Sequence, residues 1–175
     1  MKKIVVVGST GSGKTTLAKA LSKKLNIPHV ELDSLSWLPG WQQRPTYELM
    51  EIVEKITDGS EWVICGNYPK LRVFTIYQAD CLVWLDYPFI ICFWQTLKRS
   101  FRQIVKREKY SNGDQETFVR LCTPKSSILL WLIKNFKQRN KIYAQMMQDP
   151  FYKDKTFVRL KSHKQAKQWL EKIES

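Results

Sequence analysis

Acidic residues are scarce in this sequence, where 16 Asp and Glu stand against 29 Lys and Arg and leave a formal net charge of +13. An excess of this size predicts an anionic partner, whether a nucleotide, a nucleic acid or an acidic substrate. Cysteines are also few, and they form no C-x-x-C pair and have no histidine at ligand spacing, so a zinc site is not predicted. Most of them lie in or beside apolar segments, which predicts buried thiols in a reducing cytoplasm. The four are Cys65, Cys81, Cys92 and Cys122.

Long apolar runs are missing as well. The most apolar stretch, Cys81 to Trp94, is interrupted by Asp86 and Pro88, so it does not predict a membrane span. The first apolar run, Ile4 to Val7, is too short for the core of a signal peptide. The sequence therefore predicts a cytoplasmic protein that has no membrane partner.

The size and composition indicate one folded domain. The chain has 175 residues, of which 43% are hydrophobic and 13% aromatic, enough for a sizeable core and against disorder. Because no internal repeat, low-complexity tract or linker is recognisable, residues 1–175 are predicted to form a single domain.

A phosphate-binding motif follows the first apolar run. Residues 8–15 match G-x-x-x-x-G-K-[ST] at every specified position, between a predicted strand and a helix whose leucines recur every four residues. Glycines let the backbone curl around a phosphate, and the helix start adds partial positive charge. The predicted nucleotide-binding residues are Gly8, Ser9, Thr10, Gly11, Ser12, Gly13, Lys14, Thr15 and Thr16.

The motif predicts binding of ATP with Mg²⁺. Lys14 is expected to bridge the β- and γ-phosphates, and the Thr15 hydroxyl is expected to ligate the metal. The sequence contains no N-K-x-D, the guanine-specific motif, which disfavours a GTPase.

Strands and helices alternate along the rest of the chain, which predicts an α/β fold with a parallel sheet and right-handed crossovers. Apolar runs place the later strands at residues 29–32, 61–65, 81–85 and 156–160. In such sheets ligands gather at the carboxyl ends of the strands. Polar side chains after those ends are therefore candidate site residues.

Asp33 follows the second predicted strand. It could accept the proton of an attacking hydroxyl or hold Mg²⁺ through water together with Thr15, or it could only cap a short turn. Trp37 and Trp41 flank a Pro-Gly turn and could wall a substrate pocket or cover the core.

The third predicted strand is followed by a Gly-Asn-Tyr turn. Asn67 and Tyr68 are predicted to bind substrate, although Asn67 could instead form an Asx turn, and Arg72 could clamp a phosphoryl group or a substrate anion.

Between Thr96 and Lys141 there are twelve Lys or Arg against three acids, a net charge of +9. This stretch could hold nucleic acid or close over the phosphates of a nucleotide, and many of its side chains would be solvated in either case. Two helices are predicted within it. The first starts at Pro88 and has Phe89, Phe93, Leu97, Phe101 and Ile104 on one face. The second starts at Thr123-Pro124 and runs over residues 125–147.

The chain as a whole resembles the adenylate-kinase-like small P-loop kinases, in the branch labelled DNA topology modulation protein. The motifs that support the resemblance are the phosphate loop, L-D-S-L-S-W with P-G-W, G-N-Y with Lys70 and Arg72, and A-D leading to W-L-D-Y-P. The segment 131–139 and the tail around Trp169 also fit.

The resemblance implies a three-layer P-loop NTPase fold, with a five-stranded parallel sheet of order 2-3-1-4-5 and a helical lid at residues 99–125. It also implies transfer of the ATP γ-phosphoryl group to an acceptor held between the Trp37–Trp41 loop and Arg72. The implied catalytic residues are Lys14, Asp33, Arg72, Arg107 and Arg139, and Arg99 and Arg102 are further lid arginines.

The chain departs from the family pattern at Cys65, where the family has an acid, and at Gln95 and Gln115, where it has arginines. Loss of these groups affects the expected rate more than nucleotide binding. Two alternatives therefore accompany the kinase prediction: a nucleic-acid-associated regulator with a P-loop switch, and a slow ATPase.

Overall fold

The fold is built on one parallel sheet. A computed structural model describes residues 1–109, 112–124 and 126–173. Within them, five strands pair in the order β2-β5-β1-β6-β7, every pair parallel, and a short antiparallel hairpin joins β3 to β4. Counting only the sheet strands, this is the predicted order 2-3-1-4-5. The strands are β1 (Lys3–Gly8), β2 (His29–Glu31), β3 (Trp37–Leu38), β4 (Gln42–Gln43), β5 (Trp62–Cys65), β6 (Cys81–Leu85) and β7 (Thr156–Leu160).

Helices cover both faces of the sheet. They are α1 (Lys14–Leu25), α2 (Leu32–Ser36), α3 (Thr46–Thr57), α4 (Phe89–Lys106), α5 (Phe118–Cys122), α6 (Ile128–Gln148) and α7 (His163–Lys172). One core cluster joins one sheet face to α1, α4 and α7, and a second joins the other face to α3 and the C-terminal half of α6. The three-layer α/β prediction is therefore confirmed.

Burial follows the apolar runs of the sequence. β5 and β6 are buried at every position, as expected for strands covered by helices on both faces. Cys65, Cys81 and Cys92 are buried free thiols and Cys122 is exposed, in agreement with the prediction. Among the described residues no helix combines the length and apolarity needed to cross a bilayer.

The second strand is one residue shorter than predicted. It ends at Glu31, and Leu32 starts helix α2, so Asp33 lies in the first turn of a helix instead of directly after a strand. Two hydroxyls stabilise this turn: Ser34 Oγ donates to the Glu31 carbonyl at 2.7 Å, and Ser36 Oγ donates to the Leu32 carbonyl at 2.6 Å.

The inner face of α4 was predicted wrongly: the buried residues each lie one position before the predicted ones. The fully buried residues are Cys92, Thr96 and Ser100, while the predicted inner residue Phe101 is 55% exposed. Phe89 and Phe93 are partly buried at the edge of the core. The reason is that this face of α4 packs directly against the phosphate loop, where only small side chains fit.

The start of the long helix was also predicted wrongly. Thr123 ends the short helix α5, whereas Ser127 caps α6 by accepting a hydrogen bond from Leu130 N at 3.3 Å. A serine or threonine before an apolar run occurs at both places, so the pattern alone did not separate them. Residues 110, 111 and 125, which belong to the predicted lid, lie outside the described residues.

Candidate active site

The phosphate loop connects the buried strand β1 to the first turn of α1. Ser12 N donates to the Ser9 carbonyl at 3.1 Å, which closes the loop. Gly13 stands at the N-cap position of α1 with a φ of 88°, and no side chain caps the helix. The N–H groups of the first turn are thus directed into the loop, where an anion would meet them and the helix dipole together.

Gly11 lies against helix α4. A methyl group on Gly11 would overlap the Thr96 hydroxyl and the Cys92 carbonyl oxygen. This close approach explains why the buried face of α4 consists of small residues, and it fixes the loop on a rigid helix.

Lys14 reaches back across the loop. Its Nζ donates to the Ser9 carbonyl at 2.9 Å. Burial lowers the pKa of Lys14 below its usual 10.5, and the negative charge of Asp33 opposes that shift. The lysine is therefore a partly desolvated cation, which an incoming polyphosphate would stabilise.

Two hydroxyls in the loop support the same conclusion. Ser9 Oγ and Ser12 Oγ are buried and have no hydrogen-bond partner among the described residues. Buried polar groups in proteins normally have partners, so unpaired donors next to an uncapped helix start fit a polyphosphate ligand.

A carboxylate lies beside the loop threonine. Thr15 Oγ1 donates to Glu31 Oε1 at 2.8 Å, across the gap between α1 and the end of β2. Glu31 is paired in register with Cys65, whose thiol is 3.9 Å from the same hydroxyl. Burial raises the pKa of the Cys65 thiol to about 12, so this thiol is neutral and cannot replace an acid. Glu31 places a carboxylate beside Cys65, the position at which the resemblance implied an acid.

Asp33 is exposed, and its negative charge raises the pKa of both Lys14 and Arg139, against the larger effect of their burial. The Tyr68 hydroxyl donates to Asp33 Oδ1 at 2.8 Å. The pKa of Tyr68 is raised, first by burial and then by the charge of Asp33, so the phenol stays protonated and orients the carboxylate.

Arg139 projects from α6 into the site. Its guanidinium stacks on Trp131 at 4.3 Å from the ring centroid, and Nη2 lies 3.5 Å from the Asn67 carbonyl. Burial lowers the pKa of Arg139, and the charge of Arg72 lowers it further. Two arginines so close together favour an anionic ligand.

Asn67 bridges elements of the fold. Its Nδ2 donates to the Gly8 carbonyl, and its Oδ1 accepts from the Tyr143 hydroxyl at 2.7 Å. Both ends of the amide are therefore engaged within the protein, and its predicted contact with substrate stays a prediction.

The aromatic loop forms the β3–β4 hairpin, and part of the predicted lid contacts its tip. Trp37 and Trp41 meet edge to face at 6.0 Å. The Asp114 carboxylate accepts from Gly40 N at 2.9 Å and from Trp41 N at 2.6 Å. The Arg120 guanidinium stacks on Trp41 at 3.8 Å.

Two predicted residues lie at the margin of the site. Thr16 is on the exposed side of the first turn of α1. Arg107 ends α4 with a φ of 50°, is exposed, and accepts at its carbonyl from Gln115 Nε2 at 3.3 Å. The contacts within the described residues do not join the Arg107 side chain to the loop.

Sequence reasoning missed Glu31 and Asp114. The only sequence signal for Glu31 was its place at the carboxyl end of a strand, one residue from Asp33. Gln95 and His163 make a further side-chain hydrogen bond of 2.7 Å, which places Gln95 against the start of α7.

The architecture is similar to that of solved kinases. The shikimate kinase of Acinetobacter baumannii, solved in complex with shikimate, superimposes with a TM-score of 0.59 at 15% identity, over 99% of this chain and 90% of that one. The fold is that of a P-loop kinase. Residues 4–81, less than half of the chain, also match the ATPase family associated with various cellular activities (AAA).

The sequence relatives of this chain include two curated proteins. A shikimate kinase from Flavobacterium psychrophilum is 57% identical over 35 residues, which is 20% of each chain. A probable gluconokinase from Schizosaccharomyces pombe is 28% identical over 136 residues, which is 70% of this chain and 63% of that one. The alignments therefore span less than two thirds of these relatives.

Proposed function

We propose that this protein transfers the γ-phosphoryl group of ATP to a small-molecule acceptor. The observation that supports it most is the phosphate loop, where Lys14 Nζ reaches back to the Ser9 carbonyl at 2.9 Å beside the buried hydroxyls of Ser9 and Ser12, which are unpaired among the described residues. The negative charge of the exposed Asp33 acts on Lys14 and Arg139. A carboxylate beside the lysine that binds the γ-phosphate would be positioned to accept the proton of an acceptor hydroxyl that attacks this phosphate.

The donor site consists of the loop amides, Lys14 and the hydroxyls of the loop. Thr15 and Glu31 supply hard oxygen ligands that fit Mg²⁺, which binds through one or two protein oxygens, waters and substrate phosphates. Magnesium bound there would neutralise phosphate charge. Glu31 in this role replaces the water-mediated contact that the sequence suggested for Asp33, and leaves Asp33 free to act on the acceptor.

The acceptor is a small molecule that has a hydroxyl and an anionic group. Asp33 supplies the base for the hydroxyl, and Arg72 and Arg139 supply cations for the anion. The Trp37–Trp41 hairpin supplies an apolar wall. Hydroxylated carboxylates of the kind named by the relatives, shikimate and gluconate, have these features.

The residues account for a balanced transfer. Asp33 takes the proton of the acceptor hydroxyl, the oxygen forms a bond to the γ-phosphorus, and the bond from that phosphorus to the β–γ bridging oxygen breaks to release ADP. Lys14 stabilises the charge that accumulates on the phosphates, and Arg139 stabilises the acceptor side.

Membership of the adenylate-kinase-like class and of the topology modulation branch is part of this proposal, as is a cytoplasmic location. The departures at Gln95 and Gln115 are compatible with it, because Arg139 still places one guanidinium close enough to Asp33 for their charges to interact, and Arg72 acts on Arg139 in turn.

The deciding experiment is ADP release measured with ATP, Mg²⁺ and a panel of sugar acids, cyclic hydroxy acids, sugars, nucleosides and nucleoside monophosphates. We expect acceptor-dependent release with at least one hydroxy acid, and its loss in Lys14→Met and Asp33→Asn. The matched control is Lys19→Met, which removes an exposed lysine one turn further along the same helix and should behave as wild type.

Turnover by Lys14→Met equal to that of Lys19→Met would refute the proposal. Release of ADP at the same rate with and without every acceptor would instead identify a slow ATPase.

A further inference from the structure

Helix α4 has an apolar stripe on its outward side. The α4 apolar stripe consists of Ile90, Trp94, Phe101 and Val105, which are 55%, 51%, 55% and 62% exposed. At about 100° per residue, the four fall within an arc of about 60°. The centre of that arc is about 150° from the buried face of the helix. Large apolar side chains therefore project away from the sheet along most of an 18-residue helix.

The stripe continues onto the neighbouring helix. Phe118 of α5 is 55% exposed, and its ring meets Phe101 edge to face at 6.3 Å. Single exposed apolar residues are ordinary, but a contiguous row along two helices marks a surface that contacts something other than water.

Basic side chains lie along one edge of the stripe. Lys98, Arg102 and Lys106 are exposed and lie about 20°, 60° and 100° beyond the same edge of the stripe around the helix. Arg102 forms an ion pair with Glu108 at 3.4 Å, so the two lysines supply most of the free charge along this edge. The combination of Trp and Phe on one side with Lys beside them is typical of helices that lie in a membrane interface.

We propose that the α4 apolar stripe docks the protein on an anionic lipid surface. The indole of Trp94 and the ring of Phe101 enter the boundary between headgroups and acyl chains, and Lys98 and Lys106 contact the phosphates of anionic lipids. This attachment is peripheral, differs from a membrane span, and does not depend on the proposed function. It gives the excess positive charge a partner that the nucleotide does not supply.

Charge complementarity selects this occupant over a second copy of the chain. Two copies that paired through α4 would bring together chains of net charge +13 each, with lysines next to the contact. An anionic bilayer offers both an apolar interior and opposite charge, and it needs no complementary shape.

The test is sedimentation of the full-length protein with vesicles of 30% phosphatidylglycerol and 70% phosphatidylcholine, compared with vesicles of phosphatidylcholine alone. We expect binding to the anionic vesicles only, weakened as salt is raised. Trp94→Ser/Phe101→Ser should weaken binding at least about tenfold. Lys98→Glu/Lys106→Glu should also weaken it, since each lysine near the surface contributes about fivefold.

Two controls match these variants. Val73→Ser/Phe151→Ser removes apolar side chains that are 55% and 67% exposed, from segments next to the core cluster on the other sheet face, and should leave vesicle binding unchanged. Lys134→Glu/Lys137→Glu makes the same charge change on α6, and it should weaken vesicle binding less than Lys98→Glu/Lys106→Glu does.

A second measurement does not depend on a folded double variant. Vesicles with brominated acyl chains should quench part of the tryptophan fluorescence of the wild-type protein, and Trp94→Phe should abolish that quenching.

Four results would overturn the proposal: no sedimentation with anionic vesicles, equal sedimentation of wild type and Trp94→Ser/Phe101→Ser, a wild-type dimer in solution that this variant dissociates, or binding to a DNA duplex with the same dependence on Trp94 and Phe101.

Discussion

The Thr15 hydroxyl donates a hydrogen bond of 2.8 Å to Glu31 Oε1. This contact joins the first turn of α1 to the carboxyl end of β2 and places a carboxylate next to the loop threonine. Cys65, in register with Glu31 on the neighbouring strand, has a neutral thiol. Negative charge at this corner of the site thus comes from β2 instead of β5.

Glu31→Gln tests whether this carboxylate supports Mg²⁺. The amide keeps the size of the side chain but loses its charge, so the Mg²⁺ concentration for half-maximal turnover should rise about 10- to 100-fold. A magnesium titration of ADP release measures this concentration. The Mg²⁺ dependence of the melting temperature in the presence of ATP gives a second readout that does not depend on activity. Glu51→Gln on the exposed side of α3 is the control. Superimposable titrations of the two variants would contradict the assignment.

Asp33→Asn separates chemistry from nucleotide binding. Loss of a general base should lower kcat by about 10²–10⁴-fold. Binding of ATP, measured by calorimetry, should change little because no hydrogen bond among the described residues joins Asp33 to the loop backbone. Asp154→Asn, at an exposed turn, should have no effect. Full kcat in the Asp33→Asn variant would show that Asp33 is not the general base and only accepts the hydrogen bond from Tyr68.

Lys14→Met should affect the free and the liganded protein in opposite ways. Because the folded state lowers the pKa of Lys14, it holds fewer protons than the unfolded state at pH values between that lowered pKa and 10.5. The cost of holding the charged lysine is therefore present below the folded pKa and disappears as the pH rises towards 10.5.

We accordingly expect Lys14→Met without nucleotide to unfold at a temperature at least equal to that of wild type at pH 7, with the difference narrowing as the pH rises. Stabilisation by ATP should be lost. Thermal melts over a range of pH, with and without ATP, measure both effects. A Lys14→Met variant that is clearly less stable than wild type at pH 7 would show that its bond to Ser9 outweighs burial.

Gly11→Ala and Gly40→Ala test how much the packing around each glycine contributes to stability, because the two residues have nearly the same φ, 76° and 75°. At Gly40 an added methyl group meets open space, so the cost is that of the left-handed conformation, about 1–2 kcal/mol. At Gly11 the methyl overlaps α4, which adds about 1–3 kcal/mol. Urea unfolding of both variants measures the difference, and equal losses would contradict the close approach of the loop to α4.

Asp114→Ala tests the contact between the predicted lid and the hairpin. Its carboxylate accepts two backbone hydrogen bonds from the hairpin, and their removal should raise the acceptor KM about tenfold. The KM for ATP should change less. Asp154→Ala is the matched control, and an unchanged acceptor KM would show that this contact is unrelated to acceptor binding.

The sheet and the phosphate loop were predictable from the sequence because both depend on local patterns: short apolar runs, glycines at fixed spacing and a helical repeat of leucines. The contact of Glu31 with Thr15 was not, because the two residues are 16 positions apart and meet only through the packing of helix α1 against β2. Helix α4 shows the same limit. Its phenylalanines suggested a core face, but the buried positions are Cys92, Thr96 and Ser100, and the first two lie against Gly11 of the phosphate loop.

The guanidinium of Arg120 lies over the indole of Trp41 at 3.8 Å from the ring centroid, and that indole also meets Trp37. Separation of Arg120 from Trp41 would remove a positive charge from the face of the fluorescent indole. The intrinsic fluorescence of Trp41 should therefore report any change in its contact with Arg120, and stopped-flow measurements can follow that signal during turnover without an attached dye.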